Sequence, residues 1–180
     1  MNLETPLTEK KVAKLRAGDE VKLNGYIYTA RDQAHKKLYN LIKNESKLPI
    51  DINEAVIYYT GPAPAKKGQV IGSCGPTTSY RMDKYTPALL KKGLKGMIGK
   101  GPRSDTVIDS IKKNKAVYFA AIGGAAALLS KKIIESKVVA YPELKTEAIR
   151  LLKVNNFPLV VVNDIYGNDL YKIGQKKYKQ

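Results

Sequence analysis

Arg31, Arg81 and Lys100 carry the most legible chemistry in this chain: three cations, each placed after an apolar run in a glycine- or hydroxyl-rich segment. In "TARDQAH", Arg31 stands where a strand gives way to a helix, and its planar fork can take a carboxylate in two hydrogen bonds. Asp32 is placed to cap that helix or to hold Arg31. His35, the only histidine, follows Arg31 by four residues and shares its helical face. In "GPTTSYRMD", Gly75-Pro76 sets a tight bend, and Thr77, Thr78 and Ser79 bring three hydroxyls. Arg81 follows Thr77 by four residues, so a helical turn would bring the two side chains together. The stretch reads equally well as an anion cradle or as an N-cap cluster, with Thr78 or Ser79 capping and Asp83 in the first turns. "GMIGKG" lacks the Ser or Thr that a phosphate loop needs after its lysine, and Pro102 follows instead, which excludes the nucleotide reading. Lys100 is left between two glycines at a strand end. Cations at three loop ends suit a dicarboxylate, with no metal held by this chain.

These residues need elements to position them. "EVKLNGYIYTA" alternates as a strand, with a bend expected at Asn24-Gly25, and "RDQAHKKLYNLIKN" has helical spacing. "AVIYYTGPAPAKKGQVIGSCG" reads as strand, Pro/Gly loop, strand. A helix in "KYTPALLKKG", a strand in "KGMIGKG" and a helix in "SDTVIDSIKKN" follow. "KAVYFAAIGGAAALLSKKI" reads as a buried strand entering a small-residue helix, with Gly123-Gly124 at the junction. "SKVVAYPEL" and "FPLVVVNDIYGNDLYK" add two strands, the second turning at Tyr166 to Asp169. Helices alternating with unbroken apolar strands predict an α/β fold with a mixed, partly parallel sheet. A hairpin-like opening and close would add antiparallel strands. Functional groups in such sheets collect where strands end.

The 180 residues fit a single domain spanning 1–180. Lys and Arg number 32 against 16 Asp and Glu, a net charge of +16 that favours an anionic partner without naming it. The single cysteine, Cys74, excludes an internal disulfide and a four-cysteine metal site built by this chain alone. The start has no basic region followed by an apolar run, and no apolar stretch is long enough to span a bilayer. A cytoplasmic protein with no membrane association is expected.

"GPTTSYRMDKYTPALLKKGLKGMIGKG", "GYIYTARDQAH" and "FPLVVVNDIYGNDLY" together resemble the β subunit, or C-terminal domain, of the iron–sulfur hydro-lyases. These are the class I fumarases and L(+)-tartrate dehydratases. The match runs in the family's order from about Gly18 to Tyr171. The resemblance implies a swivelling β/β/α fold and a partner α subunit, in an α2β2 assembly, that holds a [4Fe–4S] cluster on three cysteines. It implies that Thr77 takes the C3 proton in malate dehydration, helped by a carboxylate from the partner. Arg31, Arg81, Lys100 and Thr78 would hold the substrate. No catalytic role falls to His35, and Cys74 is not expected to be a cluster ligand. Tyr80 stands where the family usually has a small residue, which bears on the pocket or on the partner contact.

The resemblance favours the β subunit of a fumarate hydratase, with L(+)-tartrate dehydratase as the alternative on the same scaffold. A non-enzymatic basic module binding nucleic acid is a third reading. Against it, aromatics do not interleave with Arg and Lys in a stacking pattern, and no nucleic-acid motif appears.

Overall fold

The computed structural model describes residues 1–121 and 126–178. Among them are strands β1 (Asn2–Glu4), β2 (Glu20–Thr29), β3 (Val56–Tyr58), β4 (Gly96–Gly99), β5 (Val117–Ala120), β6 (Ile133–Ala140) and β7 (Ile149–Asn163). The helices are α1 (Glu9–Val12), α2 (Asp32–Lys43), α3 (Thr86–Lys91), α4 (Asp105–Lys113), α5 (Ala126–Ser130) and α6 (Leu170–Tyr178). Two 3-10 segments cover Ser79–Met82 and Pro142–Glu147. The predicted α/β class, with a mixed and partly parallel sheet, is what the strands form.

Strands β2, β3, β4 and β5 run parallel. The long β7 lies antiparallel to β5 and also to β2, which closes a five-stranded ring. Strand β1 adds to β2 in parallel and β6 adds to β7 antiparallel. The opening is therefore a parallel pair joined through α1, not a hairpin. Inside the ring sit Leu23, Ile27, Val56, Tyr58, Ile98, Phe119, Leu152, Phe157 and Val161. Outside it, Ile57, Met97 and Tyr118 of the same strands, with Tyr59 just after β3, pack with Leu38, Leu89, Val107 and Ile111 of α2, α3 and α4. Strands covered on both faces explain the unbroken apolar runs "AVIYY" and "AVYF".

The bend expected at Asn24-Gly25 is a bulge whose extra residue lies on β7. Leu23 pairs with Phe157 and Gly25 with Val154, so β2 advances two residues while β7 advances three. Asn156 takes φ 50°, and its amide donates to Asn24 Oδ1 at 2.8 Å. A one-residue slip exchanges the faces of a strand. Accordingly the buried residues of β7 change from Leu152 and Val154 to Phe157, Leu159 and Val161.

Two expected strands are absent. The segment before Cys74 is irregular, because both neighbours of β3 are already taken by β2 and β4. Its carbonyls are met by side chains instead: Tyr58 Oη donates to Cys74 O at 2.7 Å and Thr60 Oγ1 to Gly75 O at 2.8 Å. At the close, the turn after Asn163 is built on buried Asp164, which accepts the amides of Tyr166 and Asn168. Asp169 Oδ1 then accepts the Tyr171 amide at 2.9 Å, an N-cap that starts α6 where a returning strand was expected. The Gly123-Gly124 junction lies outside the described residues. No helix among the described residues is long and apolar enough to cross a membrane.

Candidate active site

The parallel direction of β2, β3 and β4 puts their C-terminal ends on one rim of the ring, and each end delivers one candidate segment. Arg31 follows β2 as the residue that opens α2. Thr77 is tied to the end of β3, its amide donating to Tyr59 O at 2.7 Å. Lys100 follows β4 and pairs with Thr78 as an isolated parallel bridge.

Asp32 joins two of the cations. Its Oδ2 lies 3.4 Å from Arg31 Nε and 3.2 Å from Arg81 Nη2. Arg31 Nη2 also reaches Glu147 Oε1 at 3.4 Å, and Glu147 Oε2 accepts the Gln33 amide at 2.7 Å. Asp32 thus holds Arg31, one of its two expected tasks; the cap of α2 has no side-chain hydrogen bond. A guanidinium carries five donors, and these contacts leave Arg31 Nη1 and much of the Arg81 fork open. Gly61 gives Arg31 its room, since a Cβ there would stand 2.9 Å from Nη1.

The 3-10 segment begins at Ser79, so Thr77 precedes the turn that carries Arg81, and the expected four-residue stacking does not occur. Thr78 is the residue before that turn and makes no side-chain cap. The N-cap reading therefore fails at Thr78. Among the described residues, neither the Thr77 and Thr78 hydroxyls nor Lys100 Nζ has a hydrogen-bond or ion-pair partner. Ser79 differs: it is buried, its Oγ accepts the Lys100 amide at 3.1 Å, and the Tyr118 hydroxyl lies 2.9 Å away. Gly99 makes this approach possible, because a Cβ there would come within 1.9 Å of Ser79 Oγ.

Asp83 closes the turn rather than opening a helix. Its Oδ1 accepts Arg103 Nε at 2.7 Å and its Oδ2 accepts the Ser104 amide at 2.7 Å. Arg103 and Glu147 are the residues that sequence reasoning missed. Arg103 sits three residues after Lys100 in a loop, and nothing in "GPRS" announces a buried guanidinium. Glu147 comes from a distant segment and meets Arg31 only through the fold.

His35 lies wholly inside the helical layer. Its Nδ1 donates to Arg31 O at 3.1 Å, its ring packs edge-on to Tyr59, and Nε2 has no partner among the described residues. Burial lowers its pKa to about 4, so the ring is neutral. Cys74 is buried beside Thr60 Oγ1, and burial raises its thiol to about 11. Among the described residues no group of three or more His, Cys, Asp or Glu is placed to hold a metal ion. Tyr80 projects from the 79–82 turn with 63% of its surface exposed.

A family model described as "Fumarase C-terminus" matches residues 1–174. The chain belongs to this family. It is the family that the Gly75–Gly101 stretch and its companion motifs resemble. A Methanocaldococcus jannaschii protein named "Putative L(+)-tartrate dehydratase subunit beta" is 42% identical over 177 residues, covering 95% of this chain and 91% of its own length. Fumarate hydratase 2 of Leishmania major is 38% identical over 175 residues, covering 95% of this chain and 31% of that protein. The aerobic class I fumarate hydratase of Escherichia coli K12 is 39% identical over 176 residues, with coverages of 96% and 32%. The chain spans about a third of the two fumarate hydratases and nearly all of the archaeal subunit, so in extent it matches a β subunit.

Proposed function

We propose that residues 1–180 form the β subunit of an iron–sulfur hydro-lyase that interconverts fumarate and (S)-malate together with a cluster-bearing α subunit. The observation that carries this reading is that Arg31, Arg81, Lys100, Thr77 and Thr78 stand on one rim, the two threonine hydroxyls having no partner among the described residues. The names of the Leishmania and Escherichia relatives support fumarate as substrate. The chain's single cysteine, buried at Cys74, supports a [4Fe–4S] cluster held by the partner.

What falls to this chain is binding, orientation and proton transfer. Arg31 and Arg81 offer paired donors to one carboxylate, and Lys100 with Thr78 holds the other. In the dehydration direction the malate C3 proton passes to the Thr77 Oγ1 alkoxide, the C3–H electron pair forms the C2=C3 double bond, and the C2–O bond breaks, its oxygen leaving as hydroxide that takes up a solvent proton to become water. A threonine hydroxyl is a weak base unaided; a partner carboxylate and the surrounding positive charge favour its alkoxide. The same cations stabilise the charge that spreads onto the carboxylate as the proton leaves.

The archaeal relative's name favours a second reading, L(+)-tartrate dehydration to oxaloacetate by the same residues. Anaerobic assembly with the α subunit, followed by kcat/KM for fumarate, (S)-malate and L(+)-tartrate, decides between them. Turnover of fumarate and malate is expected to exceed that of tartrate. The reverse order transfers the assignment to tartrate, and inactivity on all three overturns both readings.

A further inference from the structure

The candidate site rests on two loops from different strand ends, the 77–83 turn and the 100–104 loop. Both ends of the turn are fixed to that loop. At its start, the Ser79 amide donates to Lys100 O at 2.9 Å and the Lys100 amide to Ser79 Oγ at 3.1 Å. At its end, Asp83 takes one hydrogen bond from Arg103 Nε and one from the Ser104 amide, each 2.7 Å. Arg103 also donates from Nη2 to Thr86 Oγ1 at 2.8 Å, which ties in the first residue of α3. Its side chain is fully enclosed, flanked by the Tyr118 ring at 4.9 Å and the Tyr59 ring at 5.4 Å. Burial works against the charge, but Tyr59, Asp83 and Tyr118 hold its pKa above the ordinary value.

We infer that Arg103, through Asp83, is a positioning residue that sets Arg81 and Lys100 in register for the substrate; this rests on the proposed function. Arg81 lies midway along a turn whose far end Asp83 ties to Arg103 and Ser104, and Lys100 opens the loop that supplies them. The fork is needed for its shape. It meets Asp83 and Thr86 in different directions at once, which the single ammonium of a lysine does not reproduce.

The test uses the assembled enzyme with Arg103→Lys, and Leu23→Ala as a control. Leu23 is fully buried in the ring, toward the end of β2 away from Arg31. Its truncation lowers stability without touching either loop. Two readouts are taken: kcat and KM, and hydrogen exchange of the amides at 79–83 and 100–104. Arg103→Lys is expected to lower kcat/KM by roughly 10–100-fold, the scale of a slightly misplaced reacting group. Exchange in the two loops should rise while the ring strands stay protected. Leu23→Ala should melt earlier and keep kcat/KM within about twofold. Arg103→Lys kinetics within twofold of the unmodified enzyme overturn the inference alone. So does an equal loss of kcat/KM in the control, since destabilisation then accounts for it. An unmodified complex inactive on every diacid tested overturns the proposed function and this role with it.

Discussion

Arg81 Nη2 stands 3.2 Å from Asp32 Oδ2, so an arginine from the 79–82 turn is bound to the first residue of α2. The same oxygen faces Arg31, and one carboxylate thereby sets the spacing of two guanidinium groups. Asp32→Asn removes that charge. The pairs are partly exposed, so the loss of stability is expected to stay below about 1 kcal/mol. Misplacement of two substrate-binding forks should lower kcat/KM about tenfold or more. Steady-state kinetics beside a thermal melt check both halves.

Thr77 is held by its backbone, through the amide bond to Tyr59 O, and its hydroxyl has no partner among the described residues. Thr77→Ala should therefore leave the melting temperature and the assembly unchanged. If its hydroxyl carries the C3 proton, kcat should fall by roughly 10²–10⁴-fold. Thr77→Ser should recover part of it, and loss of solvent-proton exchange into malate C3 should follow the same order. Activity retained in Thr77→Ala removes the assignment.

Gly99 permits the contact between β4 and Ser79. In Gly99→Ala the new methyl would meet Ser79 Oγ at 1.9 Å and Tyr59 Cδ2 at 3.1 Å. Overpacking of this kind costs about 1–3 kcal/mol. The displaced group is the one that holds the Lys100 amide. The expected result is a lower melting temperature together with weakened dicarboxylate binding, read by calorimetry and by KM. Gly174→Ala, whose methyl meets nothing within 4 Å, should leave KM unchanged.

Buried His35 makes stability depend on acid. Its pKa is lowered from 6.5 to about 4, mainly by burial, so the unfolded chain binds this proton more readily than the folded one. The contribution is complete above pH 6.5 and is lost as pH falls toward 4, by roughly 3 kcal/mol in all. Urea unfolding across that range should show the decline. His35→Asn, which keeps a donor for Arg31 O and cannot take the proton, should flatten it.

The motif-bearing segments were legible because chemistry and strand ends leave local marks. Apolar runs located β2, β3, β4 and β5, while the residue types at Arg31, Thr77, Thr78, Arg81 and Lys100 suit an anion cradle and capped helix ends equally, and the family resemblance separates the two. What was illegible depends on partners distant in sequence. The strand expected before Cys74 fails because β3 already has two neighbours, which local periodicity does not record. The closing turn enters a helix because Asp169 caps it, a choice that "YGNDLY" leaves open. Arg103 is illegible because its burial is produced by Tyr59, by Asp83 and Thr86, and by Tyr118, drawn from three other segments. Thr77 and Arg81 had the spacing for a shared turn, but the backbone bond to Tyr59 holds Thr77 outside it.

The closure of the ring by β7 has a consequence for the chain during its synthesis. Strands β2 and β5 are both finished long before residue 160 leaves the ribosome, and each then presents an unpaired edge. Such edges invite pairing with other chains, and contacts between distant segments form slowly. The ring that supports Arg31 and Lys100 is therefore closed last, when one strand arrives to satisfy two waiting edges at once.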